Sequence, residues 1–345
     1  MKMLVVSGYP AWDKVSKGLM PSHHLFGVHE LVHHYETVDG SIRGILKNDV
    51  LDGGYVDFYM WKSGKENIVK QVVELIKKSK EYDLIYDQLN RCSFFLGVFK
   101  KIGLLRCKLL TILHHPPYNI QLNIADSDAY IFFNEDYKAI AVQANSSKKD
   151  IYYVNEWYPD MKWYDEILDD GKFQTDAFYI DNGKSRRDRE CLIKASETAK
   201  IRVDYAGTEN ESEGYARAYS VDLKDDIGMV KRLRKYHAII VPVLKNEKYK
   251  IGPLGITSFL DCVALGMPVI ASENVCFASN IVKNDIGIVY QTGNKKELSE
   301  ALLKMENEAY YKKYSANIKK YRIGKTVQKY SENLLSIIKE IMEFV

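Results

Sequence analysis

Residues 236–274, YHAIIVPVLKNEKYKIGPLGITSFLDCVALGMPVIASEN, constrain this chain more than any other stretch. The apolar run 238–243 reads as a buried strand. A polar loop ends in Gly252, Pro253 and Gly255, and 256–265 then reads as a helix with Thr257 or Ser258 at its N-cap. Gly266 supplies a left-handed stop, Pro268 blocks continuation, and 269–271 reads as the next buried strand. Strand, loop, helix and strand in this order build a parallel sheet with helices on its faces. The unit sets a helix N-terminus at the carboxyl edge of that sheet, where free N–H groups and the helix dipole favour a phosphate. Gly255 lets the backbone approach an anion closely, and Asp261 lies about one turn into the helix, within reach of a ribose hydroxyl. Gly255, Ile256, Thr257 and Asp261 are therefore candidate nucleotide contacts. On spacing alone, an ordinary crossover without a ligand is equally open.

The alternation extends along the chain. In the first half, strands are expected at 3–7, 35–39, 55–60, 83–86, 109–113, 128–133 and 151–154. Helices are expected from about residue 25, at 66–79, at 92–102 and near 137–143. The polar stretch 158–171 reads as a linker, after which the pattern restarts. Strands at 177–180, 202–206 and 287–290 join those of the opening unit, with helices at 187–199, 295–305, 306–322 and 327–345. A chain of 345 residues is long enough for two domains. The expected architecture is α/β, with two doubly wound Rossmann-like domains over residues 1–157 and 158–325 and a final helix over 326–345. The sheets should be mainly parallel with right-handed crossovers, and ligands should bind at their carboxyl edges, across a cleft.

Charge and cysteine usage exclude several classes. Residues 1–165 hold 20 basic and 20 acidic side chains and the remainder 29 and 26, so neither half has the basic bias of a nucleic-acid binder. The five cysteines show neither paired nor metal-like spacing, which points to a reducing, cytoplasmic setting. The apolar start, 3–6, is too short for a signal peptide, and no run reaches the length of a membrane span. No G-x-G-x-x-G follows the first strand, which argues against a nicotinamide dehydrogenase. His29 and His33 have the i, i+4 spacing that suits zinc on a helix, with His23, His24 and His34 nearby. No acidic or cysteine ligand completes a known spacing, so no metal site is assigned. Asp126-Ser127-Asp128 reads as a cap or turn before a strand.

The segment GITSFLDCVALGMPVIAS resembles the donor-binding segment of family-four retaining glycosyltransferases, which have the GT-B fold. Asp261 falls on the second acidic position of that family's motif, and Gly266, Pro268 and Val269 match its G-x-P-V. The first acidic position, which contacts the donor sugar in the family, falls on Pro253; Glu247 lies nearby in the loop. FYIDNGKSRRDRECLIKAS, from 178 to 196, resembles the family's phosphate-facing segment, with Lys184 near its arginine and Arg187 near its lysine. A gap in the match leaves Arg186 as the alternative to Arg187. LTILHHPPYN sets His114 and His115 at a strand end, where the family has a histidine on the donor sugar. Gly207, in YAGT, resembles the strand end near the donor base. Gly8, His23 and His24 occupy the loop that the family uses near the acceptor and the diphosphate. Each has a plain structural reading as well: a solvated helix start for 184–189, a His-Pro turn at 114–116, and hinge packing for Trp157 and Tyr158.

What the resemblance implies is a hexosyltransferase-type enzyme. It would move a sugar from a UDP- or GDP-linked donor to a glycan or lipid-linked acceptor, with retention and without metal or other cofactor. Cations and helix N–H groups would hold the diphosphate. The residues expected to act on the leaving group and sugar are Lys184, Arg187 and His114, and the final helix would cross back to the first domain. The Lys-, Ile- and Tyr-rich composition suits an AT-rich bacterial genome, which would fit cell-surface polysaccharide assembly. With a lipid-linked acceptor, a cytoplasmic enzyme of this kind is expected to associate peripherally with the inner face of the membrane. Two other readings remain open at this point: a sugar-nucleotide epimerase of the same fold, and a non-catalytic protein of that fold that binds a glycan or a partner.

Overall fold

The computed structural model describes all residues except 63–67, 91, 115–126, 145–150, 169, 172–174, 209, 210, 221, 223, 224, 246–250, 344 and 345. His115 and Glu247 lie outside the described residues. The chain divides into two compact units, residues 1–158 with 327–345, and residues 159–326.

The first unit starts with β1 (Lys2–Ser7), whose five residues after Lys2 are all buried. After α1 (Ala11–Ser16) the chain makes a 3-10 turn over Ser22–Leu25 and a four-residue helix, α2 (Val28–Leu31). Both are short because Phe26 and Gly27 interrupt them at φ +45° and +81°. The single helix expected from residue 25 is therefore replaced by two fragments. His33 falls in β2 (Val32–Val38), so His29 and His33 do not share a helix face. The next strand, β3 (Ser41–Leu46), was not expected from the pattern. It pairs antiparallel with β2 through the two-residue turn Asp39-Gly40, both at positive φ, which is the turn chemistry a tight hairpin requires.

The unit continues with β4 (Tyr55–Met60), α3 (Ile68–Lys78), β5 (Leu84–Asp87), α4 (Ser93–Lys101), β6 (Lys108–Ile112), β7 (Ala129–Phe132), α5 (Glu135–Ala144) and β8 (Tyr152–Val154). The sheet order is β2-β3-β4-β1-β5-β6-β7-β8. β2, β3 and β4 are antiparallel neighbours, and every other pairing is parallel. Parallel strands buried on both faces account for the continuous apolar runs of β1 and β5–β7.

In the second unit the stretch read as a linker contains α6 (Met161–Glu166), which Asp160 caps by accepting from the Trp163 amide at 3.2 Å. Then come β9 (Tyr179–Asp181), α7 (Arg189–Ala199), β10 (Val203–Ala206), β11 (Ala216–Tyr219), α8 (Asp226–Leu233), β12 (Ala238–Val241), α9 (Ile256–Leu265), β13 (Val269–Ser272), α10 (Ala278–Asn284), β14 (Gly287–Tyr290), α11 (Lys295–Glu306) and α12 (Glu308–Tyr321). The described sheet is wholly parallel, in the order β11-β10-β9-β12-β13-β14. This is the doubly wound dinucleotide-binding order, and it reverses direction between β9 and β12. A core built on Tyr179, Leu192, Val203, Ile240, Ile270, Leu298 and Leu302 joins the sheet to α7 and α11.

The chain ends in α13 (Val327–Glu343), which belongs to the first unit. Its buried stripe, Val327, Tyr330, Leu334, Ile337, Ile338 and Ile341, follows helical spacing. Ser331 Oγ donates to the Gly27 carbonyl at 2.8 Å, and Asn155 Nδ2 donates to the Tyr330 carbonyl at 3.0 Å. A side chain on Gly27 would lie 2.9 Å from the Tyr330 ring, so glycine is what lets α13 seat there.

Candidate functional site

At the switch point of the second unit, the loop after β9 and the loop before α9 meet. Asp188 N–H donates to the Pro242 carbonyl at 2.7 Å, and Leu244 N–H donates to the Arg186 carbonyl at 2.9 Å. These bonds fix the β9 loop against the exit of β12 and turn Arg187 inward.

Arg187 is buried. Its Nε donates to Asp181 Oδ1 at 2.9 Å, Nη2 to Ser258 Oγ at 2.9 Å and Nη1 to the Ser185 carbonyl at 3.4 Å. Gly183 makes the approach possible, because a Cβ there would lie 1.8 Å from the guanidinium. Asp181 also accepts from the Gly183 amide at 3.0 Å. Burial pushes the Asp181 carboxyl up in spite of the opposing charges of Arg187 and Arg189. Of the two arginines that the sequence left open, Arg187 stands at the helix start. Arg186 is exposed at φ +51°, and Lys184 is also exposed.

The N-cap of α9 is Gly255 itself, at φ +80° and with no side-chain cap among the described residues. Thr257 and Ser258 do not cap it: Thr257 is exposed, and Ser258 is spent on Arg187. Ile256 is buried. A Cβ on Gly255 would stand 2.3 Å from Val241 Cγ1 and 3.6 Å from Arg187 Nη1. The Ile256 amide donates to the Pro253 carbonyl at 3.2 Å; the rest of this helix start and the guanidinium are neighbours, a pairing suited to an anion.

Asp261 sits one turn further along. Tyr164 OH donates to its Oδ1 at 2.5 Å and Asn182 Nδ2 to its Oδ2 at 2.6 Å. Burial raises its pKa to about 6 against these two donors, with Asp226 adding to the rise. Each carboxylate oxygen has one internal donor and keeps a second lone pair. Gly207 ends β10, donating its amide to the Tyr219 carbonyl at 2.9 Å; a Cβ there would meet the Glu211 carboxylate at 2.6 Å.

Along this carboxyl edge several buried polar atoms have no partner among the described residues: Asp181 Oδ2, Asn182 Oδ1, Tyr219 OH and Tyr290 OH. Orphaned groups of this kind cost free energy and concentrate where a ligand or water completes them. The sequence analysis missed Asp181, Asn182 and Tyr164. A readable signal was the polar pair Asp181-Asn182 ending an apolar strand directly before Gly183.

In the first unit, Trp157 gathers three of the expected residues. It stacks on Phe26 at 4.4 Å and on Phe133 at 5.4 Å between ring centroids. His114, leaving β6, meets it edge-on at 5.4 Å, and His23 does so at 5.7 Å. Trp157 Nε1 donates to the His23 carbonyl at 2.9 Å, and Tyr9 OH pairs with His24 Nδ1 at 2.9 Å. Burial and the neighbouring His24 push the His23 pKa well down, so its ring is neutral at pH 7. Gly8, at the end of β1, packs against Leu89. No group of three or more candidate metal ligands forms among the described residues.

No family model matches the sequence, and no curated protein matches it. Solved structures do match over nearly the whole chain. Anabaena HepE in complex with UDP-glucose aligns with a TM-score of 0.66 at 12% identity, covering 99% of this chain and 100% of that one. A glycosyltransferase from Rickettsia africae aligns at 0.67 and 14% identity, covering 100% and 99%. The sucrose-phosphate synthase of Thermosynechococcus elongatus aligns at 0.68 and 11%, covering all of both chains. At these identities the likeness speaks for architecture: the chain has the GT-B fold, that of two Rossmann-like domains.

Proposed function

We propose that the chain is a glycosyltransferase that takes a hexose from a nucleoside diphosphate sugar and gives it to a glycan or lipid-linked acceptor. The observation that carries this reading is the buried Arg187 guanidinium beside the uncapped Gly255 helix start, at the β9/β12 switch point. In this reading the diphosphate lies at the Gly255–Thr257 helix start, and Arg187 and Lys184 stabilise the charge that the phosphates gain as the glycosidic bond breaks. Asp261 offers its remaining lone pairs to the ribose, and Gly207 borders the base. His114 serves the transferred sugar, and Gly8, His23 and His24 the acceptor side. Retention, independence of metal and a role in bacterial cell-surface polysaccharide assembly are parts of the same proposal. That HepE holds UDP-glucose favours a uridine donor here.

The test is thermal stability against UDP, GDP, ADP and their sugars. A ligand present at ~100 times its dissociation constant adds ~2.7 kcal/mol. One diphosphate should stabilise the chain, and its sugar conjugate should be turned over in the presence of chelator. If none of them stabilises the protein, the site assignment fails. Pro253, buried at the position of the missing acidic residue, favours a second reading in which the nucleotide is bound but no sugar is transferred. Binding of a sugar nucleotide without hydrolysis or transfer, across acceptors, would select it.

A further inference from the structure

A further arginine stands at the exit of β9, and the proposed reaction gives it no role. Arg189, the first residue of α7, donates from Nη2 to the Gly183 carbonyl at 2.9 Å. Its Cζ lies 4.6 Å from the centroid of the Tyr205 ring on β10. Gly183 therefore has a guanidinium on two sides: that of Arg187 where its Cβ would be, and that of Arg189 on its carbonyl. Both charges act on the buried Asp181 carboxyl, but it is Arg187 that bonds to it. The Arg187 charge is thus matched inside the protein.

The Arg189 charge is not. Its side chain is half-buried, and among the described residues no carboxylate forms an ion pair with it. Glu211, whose carbonyl accepts from Tyr205 OH, has its carboxylate on Thr208 Oγ1 at 3.0 Å. Asp188, the preceding residue, spends its carboxylate on the Cys191 amide at 3.1 Å and so caps α7. Arg189 Nη1 is buried without a hydrogen-bond partner, an unfavourable state for a charged donor. A cation in the first turn of a helix also opposes the helix dipole. The stability of the fold therefore does not explain this side chain, whereas a bound anion would answer all three features at once. We propose that Arg189 is a ligand-binding residue that supplies the unpaired positive charge for a phosphate of the nucleoside diphosphate. Its unpartnered N–H groups donate to phosphoryl oxygens while Gly183 and Tyr205 hold the guanidinium plane. Arg187, tied to Asp181 and Ser258, positions the loop, and Arg189 sets how strongly the site prefers a charged ligand to a neutral one. The inference rests on the nucleotide-binding reading above.

The test is calorimetric titration of the full chain with whichever of UDP, GDP and ADP it binds, and with the matching nucleoside. Arg189→Gln should weaken the diphosphate about ten- to hundredfold, as loss of a hydrogen bond to a charged group does, and leave the nucleoside unchanged. Arg189→Lys keeps the charge and should recover part of the loss. Without ligand, Arg189→Gln should melt close to the wild type. Unchanged diphosphate affinity in the Gln variant, or an equal loss for diphosphate and nucleoside, would overturn the proposal. A much lower melting temperature with affinity intact would do so too, assigning Arg189 to the structure of the β9 loop. A wild type that binds none of the three diphosphates would remove the nucleotide reading itself, and this inference with it.

Discussion

Arg187 Nη2 and Ser258 Oγ meet at 2.9 Å, which ties the loop after β9 to the third residue of α9. The other end of the same guanidinium holds the buried Asp181 carboxylate. Arg187 is therefore a structural partner as well as a candidate for the phosphate, and the two roles separate by mutation.

Arg187→Ala leaves Asp181 as an uncompensated buried charge and should cost ~3–5 kcal/mol of stability. Adding Asp181→Asn should recover much of that loss, because the orphaned charge is gone. Urea denaturation of the two singles and the double gives the coupling. Additive losses would mean that the pair does not share its energy. Ser258→Ala removes one acceptor and no charge, so a loss of ~1–3 kcal/mol is expected.

Gly255→Ala should be costly in a way that the local sequence does not show. The position needs φ +80°, at ~1–2 kcal/mol for an L-residue, and the new methyl would press on Val241 Cγ1. A fall in melting temperature by several degrees is expected. A variant as stable as wild type would mean that the helix start can shift, and that Gly255 is there for another reason.

What was legible follows from where the information lies. The opening strand–turn–helix–strand unit, the alternation and the final helix are local patterns, and the structure has them. The β2–β3 hairpin was legible as well, since Asp39-Gly40 is a strong turn signal, but β3, SIRGIL, shows no clean alternation because only Gly44 and Leu46 of it are buried where it pairs between β2 and β4. β11, α8 and α10 are short, and their place is set by packing onto a neighbouring strand or helix. That Arg187, and not Arg186, is the buried one of the pair was not legible. It depends on two backbone bonds to the segment leaving β12, some 55 residues away in the chain, and on the space left by Gly183. Nor was the engagement of Asp261 by Tyr164 and Asn182, since those donors come from different loops.

Arg186 carries its own prediction. It holds φ +51° without the benefit of glycine, and its side chain is exposed. Arg186→Gly should be neutral or stabilising, by up to ~1 kcal/mol, as relief of a left-handed conformation offsets the entropy of a glycine. Nucleotide affinity should hardly change. A large loss of affinity would return Arg186 to the phosphate site and displace Arg187 from it.

Asp261 gives a pH-dependence whose sign is fixed by its burial. Its pKa is about 6 in the fold, above the ~3.9 of an unfolded chain, so the folded state binds more protons between those values. Stability from this group is then greatest below about pH 4, falls as pH rises from about 4 to about 6, and is level above that. The span of about two units corresponds to roughly 2–3 kcal/mol. Other carboxylates titrate in the same window, so the measurement is a difference. Asp261→Asn keeps an acceptor for Asn182 and cannot ionise. Denaturation curves of wild type and Asp261→Asn should therefore diverge as pH rises from about 4 to 7, with the wild type losing ground. Parallel curves would show that the carboxylate is already ionised at low pH, held by Tyr164 and Asn182 more strongly than burial opposes it.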